Sequence, residues 1–136
     1  MDNATQLQDK GIEPTDKRVE IYSLFSNSPT PLSATAVLTC MKIGSVHRAT
    51  IFRAIKLFED KGLIKRVDFM EGEYRYELSS LPHHHHAVCK TCGAVEAVET
   101  CIVEELKKKL KRQNGFHVID HSFELFGVCK KCTALV

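Results

Sequence analysis

Several things are scarce in this chain of 136 residues, and each shortage narrows the field. No apolar run approaches membrane-spanning length, so no helical span and no membrane partner are expected. The opening MDNATQLQDK is polar and partly acidic, unlike a signal peptide, and a cytoplasmic location is the expectation. The net charge is only +2, too weak to argue for a nucleic-acid partner by itself. There is no HExxH motif to hold a catalytic zinc beside a base, so an enzyme with a small-molecule substrate is not indicated. No internal repeat is visible. Hydrophobic residues are not scarce: at 43% the chain can bury a core, as one domain or two small ones.

Cysteine and histidine are concentrated. Four consecutive histidines, His83 to His86, run into Cys89-Lys90-Thr91-Cys92, and Cys129-Lys130-Lys131-Cys132 answers from near the C-terminus. In a reducing compartment paired cysteines are metal ligands more often than disulfides. A CxxC step lets two thiolates converge on one tetrahedral ion, and Gly93 suits the tight turn that follows Cys92. Cys89, Cys92, Cys129 and Cys132 are therefore expected to share a structural zinc. Cys40 and Cys101 fall in apolar-periodic stretches and are expected to be small core residues. The histidine run precedes a strand-like Ala87-Val88, and in extended chain successive side chains alternate faces. His84 and His86 then point one way and His83 and His85 the other, so one tetrapeptide can serve two metal sites.

The first half reads as three helices and a hairpin. Helices are expected at 16–25, at 33–41 with Ser33 as N-cap, and at 46–61 with Ser45 as N-cap and Gly62 closing the C-terminus. The β-prone runs 63–69 and 74–78 flank a Gly-containing loop. This order is that of a winged helix-turn-helix, whose last helix enters the DNA major groove. Acids and bases balance in residues 1–82, yet 46–58 carries Arg48, Arg53, Lys56 and His47 with no acid. That is a cationic face on one helix. The second half starts near Pro82. It is expected to hold a strand at 94–98, a helix at 100–113 with Ile102, Val103, Leu106 and Leu110 on its apolar side, and strands at 116–120 and 122–126. The fold class is α+β: a winged-helix domain over 1–81 and a small α/β domain over 82–136.

Several motifs together resemble the ferric uptake regulator family: Thr15 and Arg18 as TxxR, RATIFR from Arg48 to Arg53, YEL from Tyr76 to Leu78, HHHHAVCKTCG from His83 to Gly93, and HSFELFGVCKKC from His121 to Cys132. The resemblance runs from about residue 11 to 132. It implies a homodimeric, metal-dependent transcription factor on a palindromic double-stranded DNA operator, with the second domain as the dimerisation domain. It implies a sensing site of Glu77, His84 and His86, and a further site of His83, His85, Glu104 and His121. Arg18, Arg48, Thr50, Phe52, Arg53 and Lys56 would face DNA. Besides the structural Zn2+, an exchangeable Zn2+ or Fe2+ is implied, with Mn2+ as a further candidate.

The chain departs from the family pattern at three points. The hinge histidine would fall near Pro31-Leu32 and is missing, leaving Asp68, a water or a residue from elsewhere as fourth ligand of the sensing site. Where iron sensors carry aspartate this chain has His85, and nitrogen in place of oxygen makes the site softer, which leans toward zinc. Phe52 replaces a groove-facing tyrosine, keeping apolar contact with a thymine methyl and losing the hydroxyl. The expected function is repression of metal-uptake genes. A peroxide sensor of the same family and a zinc store or chaperone are the alternatives.

Overall fold

The computed structural model describes residues 2–134, and the chain divides after Leu81 into two compact units. The first unit has the order α1 (Asn3–Asp9), α2 (Asp16–Asn27), β1 (Leu32–Ser33), α3 (Ala34–Cys40), α4 (Arg48–Asp60), β2 (Ile64–Val67) and β3 (Arg75–Leu78). The second has β4 (His85–Cys89), β5 (Val95–Val98), α5 (Val103–Asn114), β6 (Leu125–Gly127) and α6 (Lys130–Thr133).

Short polar side chains set the helix starts of the first unit. Thr15 Oγ1 accepts from Arg18 N at 3.3 Å, and Ser33 Oγ accepts from Ala36 N at 3.0 Å. The expected cap at Ser45 is not made: Ser45 Oγ donates to Lys42 O at 2.6 Å, holding the preceding turn, and α4 begins after His47. Gly62, at φ +76°, ends α4 where a left-handed residue is needed. Its amide donates to Glu59 O and the Leu63 amide to Phe58 O, which satisfies two terminal carbonyls at once.

The amphipathic face of α4 buries Ile51, Ala54, Ile55 and Phe58 against Ile21, Tyr22 and Phe25 of α2 and Val37 of α3. Tyr22 and Phe58 meet edge to face at 5.6 Å. The polar opening of the chain is not loose. It forms α1, capped by Asp2, and seals this core with Leu7, which is fully buried. The hairpin pairs β2 with β3 antiparallel, Ile64 opposite Leu78, and β1 adds a short third strand, Leu32 opposite Tyr76. In the loop, Asp68 Oδ1 accepts from Met70 N at 2.8 Å, which supports the left-handed backbone of Met70 at φ +56°. Helices α2, α3 and α4, the short strand β1 and the two-stranded wing make this unit a winged helix-turn-helix, with α1 packed on its core.

The second unit is a three-stranded sheet ordered β5-β4-β6, with β4 antiparallel to β5 and parallel to β6. The histidine strand is therefore central. The strand expected at 116–120 is absent, and only the end of the 122–126 run extends, as β6. Hydrocarbon is sparse inside: among the described residues, those buried here are His85, His86, Val88, Cys89 and Cys132. Helix α5 buries none, and Ile102 before it and Leu106 on it are exposed.

Candidate metal centres and nucleic-acid face

The sheet and the two CxxC knuckles bring Cys89, Cys92, Cys129 and Cys132 together, their sulfurs within 4.8 Å of one another. Cys89 ends β4, and Gly93 at φ +78° turns the chain back so that its amide donates to Cys89 O at 2.9 Å. Lys90 N donates to Gly127 O at 2.8 Å, tying one knuckle to the strand that leads into the other. Backbone amides reach the Cys89 sulfur from Cys129 at 3.3 Å and Cys92 at 3.4 Å. The Cys129 amide first, then the Cys92 amide, hold the Cys89 thiol down to about 6. Burial pushes the Cys132 thiol up to about 12. Four sulfurs at this spacing with directed amide donors fit a tetrahedral thiolate-bound ion.

Alternation along β4 sorts the histidines. His84 and His86 face each other, Nε2 to Nε2 at 3.1 Å. His84 Nδ1–H donates to Pro82 O at 2.7 Å. His86 Nδ1–H donates to Glu124 Oε2 at 3.1 Å, and the same oxygen accepts from the His86 amide at 3.1 Å. With both Nδ1 atoms engaged as donors, each ring turns its Nε2 lone pair toward the other. Two such nitrogens repel unless a cation or a proton lies between them. Tetrahedral zinc bonds of about 2.0–2.1 Å put ligand nitrogens about 3.3 Å apart, so the donor set fits a metal.

On the other strand face His121 Nε2 lies 3.2 Å from both His83 Nε2 and His85 Nε2. The fourth side chain of this cluster is Cys101, its sulfur 3.3 Å from His85 Nε2 and 3.6 Å from His121 Nε2. Glu104 does not join it. Its side chain is 70% exposed and pairs with Lys107 at 3.3 Å. The reason is local. The helix starts at Val103, not near residue 100, so Cys101 sits in the preceding loop and turns inward while Glu104 occupies the outer first turn. Cys101 is thus a cluster member and not core. His85 is buried, stacked on Phe123 with ring centroids 3.9 Å apart. Burial first, then the neighbouring His83 and His121, lower its pKa and favour the neutral imidazole, the form that ligates.

Glu77, on β3 of the first unit, is buried and lies 3.9 Å from Lys65 Nζ, its cross-strand neighbour. Asp68 is spent on its own loop and exposed, which removes the reason to count it as a ligand. Two site residues escaped the sequence reading, Cys101 and Glu124. Glu124 left a trace, as a lone acid within the apolar run SFELFG.

The cationic side chains of α4 stand on its solvent face. Arg48, Phe52, Arg53 and Lys56 are exposed, and Thr50 is half-buried. The Arg48 guanidinium lies over the Phe52 ring at 5.4 Å, and Arg53 Nη2 donates to Thr50 Oγ1 at 3.4 Å. Lys56 pairs with Asp60 at 3.6 Å. A groove of about 230 Å3 runs between α2 and α4, lined by Arg18 and Lys17 on one side and Thr50 and Arg53 on the other. The concave, cationic, hydroxyl-bearing surface has the chemistry of a phosphate-backbone contact.

A sequence profile described as the Ferric uptake regulator family matches residues 9–126. The chain belongs to the ferric uptake regulator family. The ferric uptake regulation protein of Neisseria meningitidis serogroup A is 36% identical over 97% of this chain and 94% of its own length. The solved ferric uptake regulator from Francisella tularensis, with iron, superposes with a TM-score of 0.80 at 31% identity, over 90% of this chain and 96% of that one. The Pseudomonas aeruginosa ferric uptake regulator, with manganese, superposes with a TM-score of 0.72 at 29% identity, over 96% and 99%. As a member of the ferric uptake regulator family the chain is a metal-responsive, DNA-binding transcription regulator and not an enzyme. No helix among its described residues is long and apolar enough to cross a membrane.

Proposed function

We propose that this regulator is a homodimeric repressor of metal-uptake genes that grips a palindromic operator when its exchangeable site is filled, with zinc favoured over ferrous iron as corepressor. The carrying observation is the His84–His86 pair, preset with both Nε2 atoms turned together. Glu77 completes the sensing site in this reading, and the four cysteines hold a structural zinc.

The ion supplies charge neutralisation and a preferred ligand geometry. The protein supplies the switch. Glu77 belongs to the winged helix, whereas His84 and His86 belong to the second unit. Shared ligation would restrict the arrangements open to the two units and favour the one in which both recognition helices of a dimer meet successive major grooves. About 100-fold tighter ion binding in that arrangement corresponds to roughly 2.7 kcal/mol of coupling. Exposed Ile102, Leu106, Leu125 and Phe126 support the dimer, because the second unit does not cover them itself.

The test is operator binding measured across zinc, iron and manganese, with total metal determined. His84→Ala and His86→Ala should keep the cysteine-site zinc and lose metal-stimulated binding. His83→Ala and His85→Ala should mainly weaken the dimer. Four variants behaving alike, or operator affinity untouched by chelation, would refute the two-site reading.

A further inference from the structure

We infer that His83, His85, Cys101 and His121 form a three-histidine, one-thiolate centre that selects zinc against ferrous iron and manganese, with Cys101 as the residue that sets the selection. The distances carry it. Zinc bonds of about 2.0–2.1 Å to nitrogen and 2.3 Å to sulfur place tetrahedral nitrogen neighbours about 3.3 Å apart and nitrogen–sulfur neighbours about 3.6 Å apart. The nitrogen edges here are 3.2 and 3.2 Å, and the sulfur edges are 3.3 and 3.6 Å.

The rings are also preset. His85 is stacked on Phe123 and hydrogen-bonded to its backbone, which leaves Nε2 for the ion. His83 packs edge-on against both His85 and His121, at 4.7 and 4.9 Å. Glu104, the carboxylate expected here, is turned to solvent with Lys107, and Asp120, next to His121, accepts from the His121 amide at 2.8 Å. An octahedral, oxygen-preferring ion finds no oxygen donor in this cluster, whereas three imidazoles and a thiolate suit a four-coordinate, borderline-soft one. This assignment goes beyond the regulatory reading and does not depend on it. A centre of this composition stays filled with zinc while the sensing site exchanges.

The experiment loads the full-length protein with zinc at the cysteine site, strips the remaining metal, and titrates cobalt as a spectroscopic substitute. A thiolate-to-cobalt charge-transfer band with strong tetrahedral d–d absorption is expected. It should vanish in Cys101→Ser and persist in His84→Ala. Zinc should also shield Cys101 from maleimide while exposed Cys40 is labelled throughout. Zinc affinity should fall in Cys101→Ser by more than the ~10–100-fold typical of outer-sphere changes, and Cys101→Asp should narrow the preference for zinc over manganese. If Cys101→Ser leaves the cobalt spectrum and zinc affinity unchanged, or if the wild-type spectrum is octahedral without a sulfur band, the assignment fails. Metal-stimulated operator binding could survive that failure, so the two readings are separable.

Discussion

Glu124 accepts a hydrogen bond from the His86 ring and another from the His86 amide through the same carboxylate oxygen. That double contact fixes both the rotamer and the tautomer of a candidate ligand. The parallel register of β4 and β6, Ala87 beside Leu125, is what places the acid there. A carboxylate behind a ligating imidazole raises its basicity and orients its lone pair. Glu124→Gln should therefore weaken exchangeable metal binding by about 10–100-fold and leave the cysteine-site zinc in place. Metal titration monitored by operator binding, beside total zinc, checks this; unchanged affinity would reduce Glu124 to a packing residue.

The cysteine site should carry folding energy. Binding free energies of structural zinc are on the order of 10 kcal/mol, comparable with the whole stability of a small domain. Cys89→Ser or Cys129→Ser should release one zinc and unfold the second unit first, read by zinc content and by hydrogen exchange resolved along the chain. Full zinc and unchanged melting in both variants would dismiss the assignment.

On the DNA face, Arg53→Ala and Lys56→Ala should each weaken duplex binding, lowering the slope of log affinity against log salt by about 1 per lost phosphate contact. Arg53 should show the larger effect, since it borders the groove beside Arg18 while Lys56 is held by Asp60. Equal affinities and slopes in both would move the DNA face elsewhere.

Acid should act through His85. Its pKa in the fold lies below the ordinary histidine value of 6.5, so below that pH the unfolded chain binds more protons than the folded one. Protein stripped of exchangeable metal should lose stability as pH falls through 6.5, with the full penalty reached below the folded pKa. His85→Gln should flatten that dependence in urea unfolding. A stability profile equally steep in the variant would assign the acid sensitivity to other groups.

Much of this was legible because it rests on local chemistry. The cap at Ser33, the Gly62 stop, the hairpin and the alternation of the histidines each depend on a few adjacent residues. Helix α1 was missed because its stability comes from burying Leu7, beside Ile12 of the following turn, in a core made by distant elements, not from its own polar sequence. Cys101 and Glu104 were misjudged by a shift of helix start from about 100 to Val103, enough to exchange which side chain faces inward. The 116–120 strand was expected from apolar composition, but no neighbouring strand pairs with it there. Glu124 became meaningful only once the parallel pairing of β6 put it beside His86, and such pairing between distant segments has no signature in either segment alone.

The second unit encloses imidazole and sulfur where other small domains enclose hydrocarbon, with Val88 as its one buried aliphatic side chain among the described residues. Without metal, a chain not yet paired with a second copy would thus have little to hold that half closed, and an open half is what proteases cut. Scarcity would then shorten the lifetime of the regulator as well as its hold on DNA.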